Sequence, residues 1–133
     1  MSLIFVFFMM IFCHIIDDFV LQGKLANFKQ KGWWKENYPD KKYEYDFIIC
    51  LILHAFEWTF MIMLPLAIYV KFDVTLLYVV GFILNTVIHT IIDHFKCNKL
   101  AFCLEADQIL HIIQITLTFG IFILSQKIGF NFW

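Results

Sequence analysis

Four stretches of almost unbroken hydrophobic residues run through the chain, at about 2–22, 47–70, 74–95 and 104–125, each interrupted by polar residues at helical spacing. Each stretch is close to the roughly 20 residues that a helix needs to cross the hydrocarbon core of a bilayer. The pattern predicts an all-α membrane protein, a four-helix transmembrane bundle forming a single domain over 1–133, with one long polar loop at 23–46. His14 and Asp18, His89 and Asp93, and Asp107 and His111 are each four residues apart, and His54 lies on the second stretch. A spacing of four sets both side chains on one helix face, one turn apart.

The order of these pairs reverses along the chain. It is His then Asp in the first and third stretches and Asp then His in the fourth. In helices that run alternately up and down, the reversal holds the histidines at one depth and the aspartates one turn nearer the same end. Counted from Gln22, Asp46, Phe95 and Leu104 at about 1.5 Å per residue, His14, His54, His89 and His111 lie roughly 12, 12, 9 and 10 Å in. The stripes continue through Gln22, through Asn85 and Lys96, and through Gln114 and Thr118, while Asp46 and Glu57 flank His54. Asp17 lies about 100° from Asp18 on a regular helix, so it is expected to cap the helix or pair with lysine.

The lysines are unevenly distributed. Lys24, Lys29, Lys31, Lys35, Lys41 and Lys42 fall between the first and second stretches, Lys96 and Lys99 between the third and fourth, and only Lys71 and Lys127 elsewhere. The positive-inside rule then predicts a cytoplasmic loop at 23–46 and both termini on the non-cytoplasmic side. The first stretch lacks the basic start of a secretion signal, and His14, Asp17 and Asp18 break its apolar centre, so it is expected to remain as a span. Within 133 residues, 62% hydrophobic and 20% aromatic, no length is left for a separate soluble domain. The net charge of -1 gives no sign of nucleic-acid binding.

Smaller features refine the picture. Gly32-Trp33-Trp34, Tyr38-Pro39-Asp40, Tyr43 and Tyr45 suit a segment at headgroup level, serving as an anchor or as a lid, and residues 129–133 suit an interfacial aromatic tail. Cys13 and Cys50 lie inside stretches, and Cys97 and Cys103 flank a loop on the reducing side, where a disulfide is not expected. His94 and Cys97 are a weak candidate for a peripheral metal pair. His14-to-Asp18 and His89-to-Asp93 also suggest a faint internal repeat.

An aspartate at the centre of a membrane helix costs roughly 2.5–3.5 kcal/mol, so these groups are expected to face one another, with something offsetting their charge. A single histidine or aspartate in a span is usually a helix–helix hydrogen-bond partner, but four histidines and three aspartates at related depths point to a shared site. A divalent metal, zinc above all, fits: His14, His54, His89 and His111 with Asp18, Asp93 and Asp107 offer more than the roughly four donors zinc takes. The three aspartates double as candidate catalytic bases, and the surplus of donors leaves room for one ion or two.

His14-x3-Asp18-Phe19-x2-Gln22, His54, His89-x3-Asp93-x2-Lys96 and Asp107-x3-His111 together resemble a family of small bacterial and bacteriophage integral membrane proteins of unknown function, over nearly the whole chain. That resemblance implies a shared fold and site, placed in the bacterial cytoplasmic membrane. More distantly, the layout resembles intramembrane zinc hydrolases of the ceramidase and adiponectin-receptor type, without their serine and His-x3-His elements. The leading expectation is a membrane-embedded metal-dependent hydrolase acting near the cytoplasmic leaflet on a lipid-like ester, amide or phosphoester. A proton or metal-ion channel or transporter, and a non-catalytic phage membrane effector, are the alternatives. Membrane lipids are the expected partners, and a homo-oligomer is left open.

Overall fold

A computed structural model describes residues 1–73 and 75–128, so the aromatic tail at 129–133 lies outside the described residues. Helix α1 spans Leu3–Ile16 and continues without a break into a π-helical turn at Asp17–Leu21. Two short helices follow, α2 at Leu25–Phe28 and α3 at Lys31–Asn37, then a 3-10 turn at Lys41–Tyr43. The long helices α4 at Asp46–Tyr69, α5 at Leu76–Lys99 and α6 at Leu104–Ile128 complete the fold. No strand occurs among the described residues. Among the described residues, four helical segments are long and apolar enough to cross a membrane: α1 with its π turn, α4, α5 and α6.

The expected stretches and the helices agree closely except at the end of the third. Helix α5 runs on to Lys99, so Lys96 and Cys97 sit in its last turns rather than in a loop. Nothing breaks the helix before that point, and lysines near a helix C-terminus interact favourably with its dipole. Helix α1 starts at Ser2, whose Oγ accepts from the Phe5 N–H at 3.3 Å. The α4–α5 hairpin turns through Lys71 and Phe72, both left-handed at φ 57 and 62. Pro65 lies inside α4 near its far end.

Helix α4 is the spine of the bundle, packing on α1, on α5 and on α2. Toward the α4–α5 hairpin, its Trp58, Ile62, Met63 and Leu66 interlock with Val6 and Met10 of α1 and Ile115 and Phe122 of α6, all fully buried. The outward faces expose Ile4, Phe8, Phe12, Phe56, Phe60, Leu84, Ile91, Leu117 and Leu124. A continuous apolar belt of this kind is far larger than soluble monomers show.

At the other end, residues 23–45 fold into a strap. The rings of Phe28, Trp33, Trp34, Tyr38 and Tyr43 pack on one another, with Phe28 and Trp33 centroids 4.6 Å apart. Trp34 Nε1 donates to the Phe28 carbonyl at 2.6 Å. Asn98 of α5 fastens the strap twice, accepting from the Lys31 N–H at 2.6 Å and donating to the Lys29 carbonyl at 3.0 Å.

Candidate metal centre

Beneath the strap, α1, α4, α5 and α6 bring their polar stripes together. His54, His89, His111, Asp17 and Asp107 are fully buried, and His14, Asp93 and Asp18 nearly so. The imidazoles form a chain, with centroids 5.2 Å apart from His54 to His89, 4.4 Å from His89 to His111 and 5.6 Å from His111 to His14. Trp58 closes the apolar side, its ring stacked 4.1 Å from His89.

Carboxylate oxygens face these rings at a characteristic separation. His54 Nε2 lies 3.6 Å from Asp18 Oδ1 and 3.4 Å from Asp93 Oδ2; His111 Nε2 lies 3.5 Å from Asp93 Oδ1 and 3.3 Å from Asp107 Oδ1. Hydrogen bonds prefer 2.7–3.2 Å between heavy atoms. These gaps instead match the edge of a tetrahedron built on metal–ligand bonds of about 2.0 Å, roughly 3.3 Å. Three sets of side chains bring one donor atom each to within 4.8 Å of the others: Asp18, His54 and His89; His89, Asp93 and His111; Asp18, Asp107 and His111. The buried His and Asp groups are therefore positioned to hold a metal ion.

Several buried atoms have no hydrogen-bond partner, among them His111 Nε2, Asp107 Oδ1, both oxygens of Asp17 and the Nδ1 atoms of His54, His89 and His111. Each unsatisfied buried polar atom costs about 1–3 kcal/mol; of these, His111 Nε2 and Asp107 Oδ1 lie on the side where the carboxylates and imidazoles converge. His111 Nε2 and Asp107 Oδ1 face each other across the centre, where a cation would satisfy both.

A ring of outer residues holds the cage. Trp58 Nε1 donates to His14 Nδ1 at 2.8 Å, leaving His14 Nε2 to donate to Gln108 Oε1 at 3.1 Å. Both ring nitrogens of His14 are thus engaged, and none of the three metal-competent sets includes it. Gln108 Nε2 donates in turn to Asp18 Oδ2 at 3.0 Å and to Asp107 Oδ2 at 3.2 Å. Gln22 Nε2 lies 3.0 Å from His54 Nε2. Donation by the amide leaves the His54 proton on Nδ1, which stands 3.8 Å from Asp17 Oδ2, and an ion taken by His54 Nε2 would displace the Gln22 amide from that nitrogen.

Asp17 meets its sequence expectation in part. It is the C-cap residue of α1, its N–H reaching the Cys13 and His14 carbonyls, but among the described residues it forms no ion pair with lysine; standing three residues after His14, as Asp18 stands four, it turns inward with Asp18, and the π-helical turn follows, the Gln22 N–H bonding to the Asp17 carbonyl at 3.0 Å. Lys29 departs from its expectation. Expected as one of the charges of an open loop, it is buried with Nζ 2.5 Å from Asp93 Oδ2. Lys96 pairs with Asp107 Oδ2.

Other candidates stay outside the cage. His94 is half-buried and stacks on Phe47, and neither it nor Cys97 joins a metal-competent set. Glu57 is half-buried and belongs to none of the sets. All four cysteines are free. Asn85, Gln114 and Thr118 form a separate buried network one or two turns away, Gln114 Nε2 donating to Asn85 Oδ1 at 3.0 Å and Thr118 Oγ1 to the same oxygen at 3.0 Å. Comparison with protein-family models, with curated proteins and with solved structures gave no match.

Proposed function

We propose that the chain is an integral membrane, metal-dependent hydrolase whose centre lies in the cytoplasmic half of the bundle, with the strap at the cytoplasmic surface and both termini on the other side. The observation that carries this reading is the cage of His54, His89, His111, Asp18, Asp93 and Asp107, in which His111 Nε2 and Asp107 Oδ1 are buried 3.3 Å apart with no hydrogen bond to either. Asp17, Asp18, Asp93 and Asp107 outnumber Lys29 and Lys96, so the cluster favours a cationic guest. Imidazole and carboxylate together suit zinc. The apolar belt and the lysine distribution support insertion in this orientation.

A bound divalent ion supplies a Lewis acid and a water acidified toward a pKa of about 7. The chain's own residues do the rest. Asp17 stands 3.8 Å behind His54 Nδ1, placed to draw in and orient that imidazole once its Nε2 holds an ion, as carboxylates do for metal-ligating histidines. Asp18, Asp93 and Asp107 provide ligating oxygens, and an oxygen left uncoordinated takes the proton of the attacking water. Trp58 and the apolar core below it keep water from the far side.

A groove of about 480 Å³ between α5 and α6 supports a lipid-like substrate. Leu84, Ile88, Ile92, Leu110 and Leu117 line it together with Asn85, Gln114 and Thr118, the buried polar network one or two turns from the cage, and a hydrocarbon tail fits its apolar wall. Conduction of protons or metal ions is the weaker reading, because Trp58, Ile62, Met63, Leu66, Ile115 and Phe122 fill the bundle beyond the cage.

The test is metal analysis of the detergent-purified protein, followed by hydrolysis assays of the loaded form on lipid esters, amides and phosphoesters. Metal retained in near-integer ratio with hydrolysis of one class supports the reading. A helical, monodisperse sample that takes up no metal on titration ends it.

A further inference from the structure

We infer that the cage takes two divalent cations side by side, bridged by Asp93 and Asp18. This rests on the metal reading above and goes beyond it in number and arrangement. Six residues converge, whereas one tetrahedral zinc uses about four donors. Gathering all six around one octahedral ion with bonds of about 2.1 Å needs neighbouring donors roughly 3.0 Å apart. The donors here stand 3.3–3.9 Å apart, too widely for that.

Asp93 divides its oxygens between the two ends of the cage. Its Oδ2 faces His54 Nε2 at 3.4 Å and its Oδ1 faces His111 Nε2 at 3.5 Å. Asp18 likewise belongs to both ends, grouped with His54 and His89 in one metal-competent set and with Asp107 and His111 in another. His89 stands between them, its ring in contact with those of both His54 and His111. One ion then lies among His54, His89, Asp18 and Asp93, and the other among His111, Asp107, Asp93 and Asp18. Carboxylate-bridged ions in two-metal sites stand about 3.5–4 Å apart.

The lysines divide between the same two ends. Lys29 sits on Asp93 Oδ2, at the His54 end, and Lys96 on Asp107 Oδ2, at the His111 end. Each end of the cage thus has one tethered ammonium group against a carboxylate that an ion would share.

The experiment loads the full-length, detergent-purified protein with Mn2+, removes the excess, and measures manganese per chain by plasma mass spectrometry together with the electron paramagnetic resonance spectrum. Two ions per chain with an exchange-coupled signal are expected. His54→Ala and His111→Ala should each halve the manganese content and abolish the coupling, while His94→Ala, outside the cage, should retain both ions. Saturation of the wild type at one ion, two ions with only isolated-ion signals, or loss of an ion in His94→Ala overturns the pair. Single-ion saturation leaves the metal reading intact; helical wild-type protein that binds no manganese and no zinc defeats both. The wild-type stoichiometry and spectrum decide the question even if a histidine variant does not fold.

Discussion

Lys29 Nζ lies 2.5 Å from Asp93 Oδ2, a contact across 64 positions of sequence that runs from the strap into the cage. Both groups are buried, so removing the ammonium leaves the carboxylate with only the imidazoles of His54, His89 and His111 beside it, a loss of up to about 3–5 kcal/mol for a buried pair. Lys29→Met should therefore lower the melting temperature sharply in metal-free protein. Metal-loaded protein should lose much less, because a cation shares Asp93. Equal losses with and without zinc, read by thermal unfolding in detergent, would count against a metal beside Asp93.

Asp17 stands 3.8 Å behind His54 Nδ1 and touches none of the facing donor atoms. Partners of this kind typically matter by 10–100-fold in metal affinity. Asp17→Asn should weaken zinc binding by about that factor, measured by competition with a chromophoric chelator, with the helical content unchanged. Unchanged affinity would reduce Asp17 to a packing residue.

Trp58→Phe keeps an aromatic ring against His89 but removes the donor to His14 Nδ1. The buried acceptor left behind should cost about 1–3 kcal/mol. Because neither residue is among the metal-competent sets, the metal content should stay at the wild-type value while the melting temperature falls. Loss of metal in this variant would show that the Trp58–His14 hydrogen bond supports the cage itself.

Cys103 is exposed just before α6, on the same end of the bundle as the strap. A membrane-impermeant maleimide should label it in inverted vesicles and not in intact cells. Labelling from outside would reverse the orientation assigned from the lysines.

Paired ions clamp the attacking and leaving oxygens of an in-line displacement, an arrangement recurrent in phosphatases. Among tailed substrates with matched hydrocarbon chains, the loaded protein should release phosphate from phosphoesters faster than it cleaves carboxyl esters or amides. Steady-state rates on such a panel provide the check.

The sequence reveals much of the fold and most of the cage, for one reason. In an apolar helix each polar residue is costly, so His54, His89, His111, Asp18, Asp93 and Asp107 stand out, and a spacing of four fixes their shared face. What holds them is harder to see. Gln108 sits beside Asp107 and therefore off the stripe, yet its long side chain reaches Asp18, Asp107 and His14. Lys29 belongs to a segment without periodicity, whose path is set by Asn98 and by packed aromatic rings. Trp58 follows His54 by one turn of α4, a spacing that marks it out once its N–H is counted as a polar group. His14 shares the pattern of the other histidines, and only the positions of Trp58 and Gln108 distinguish it from them.

The π-helical turn at Asp17–Leu21 gives the first span one residue more than regular winding would use. The extra residue falls after both acids, between the Asp17 carbonyl and the Gln22 N–H, so the acids follow the register of α1 while the loosened turn fixes the height at which Gln22 meets His54.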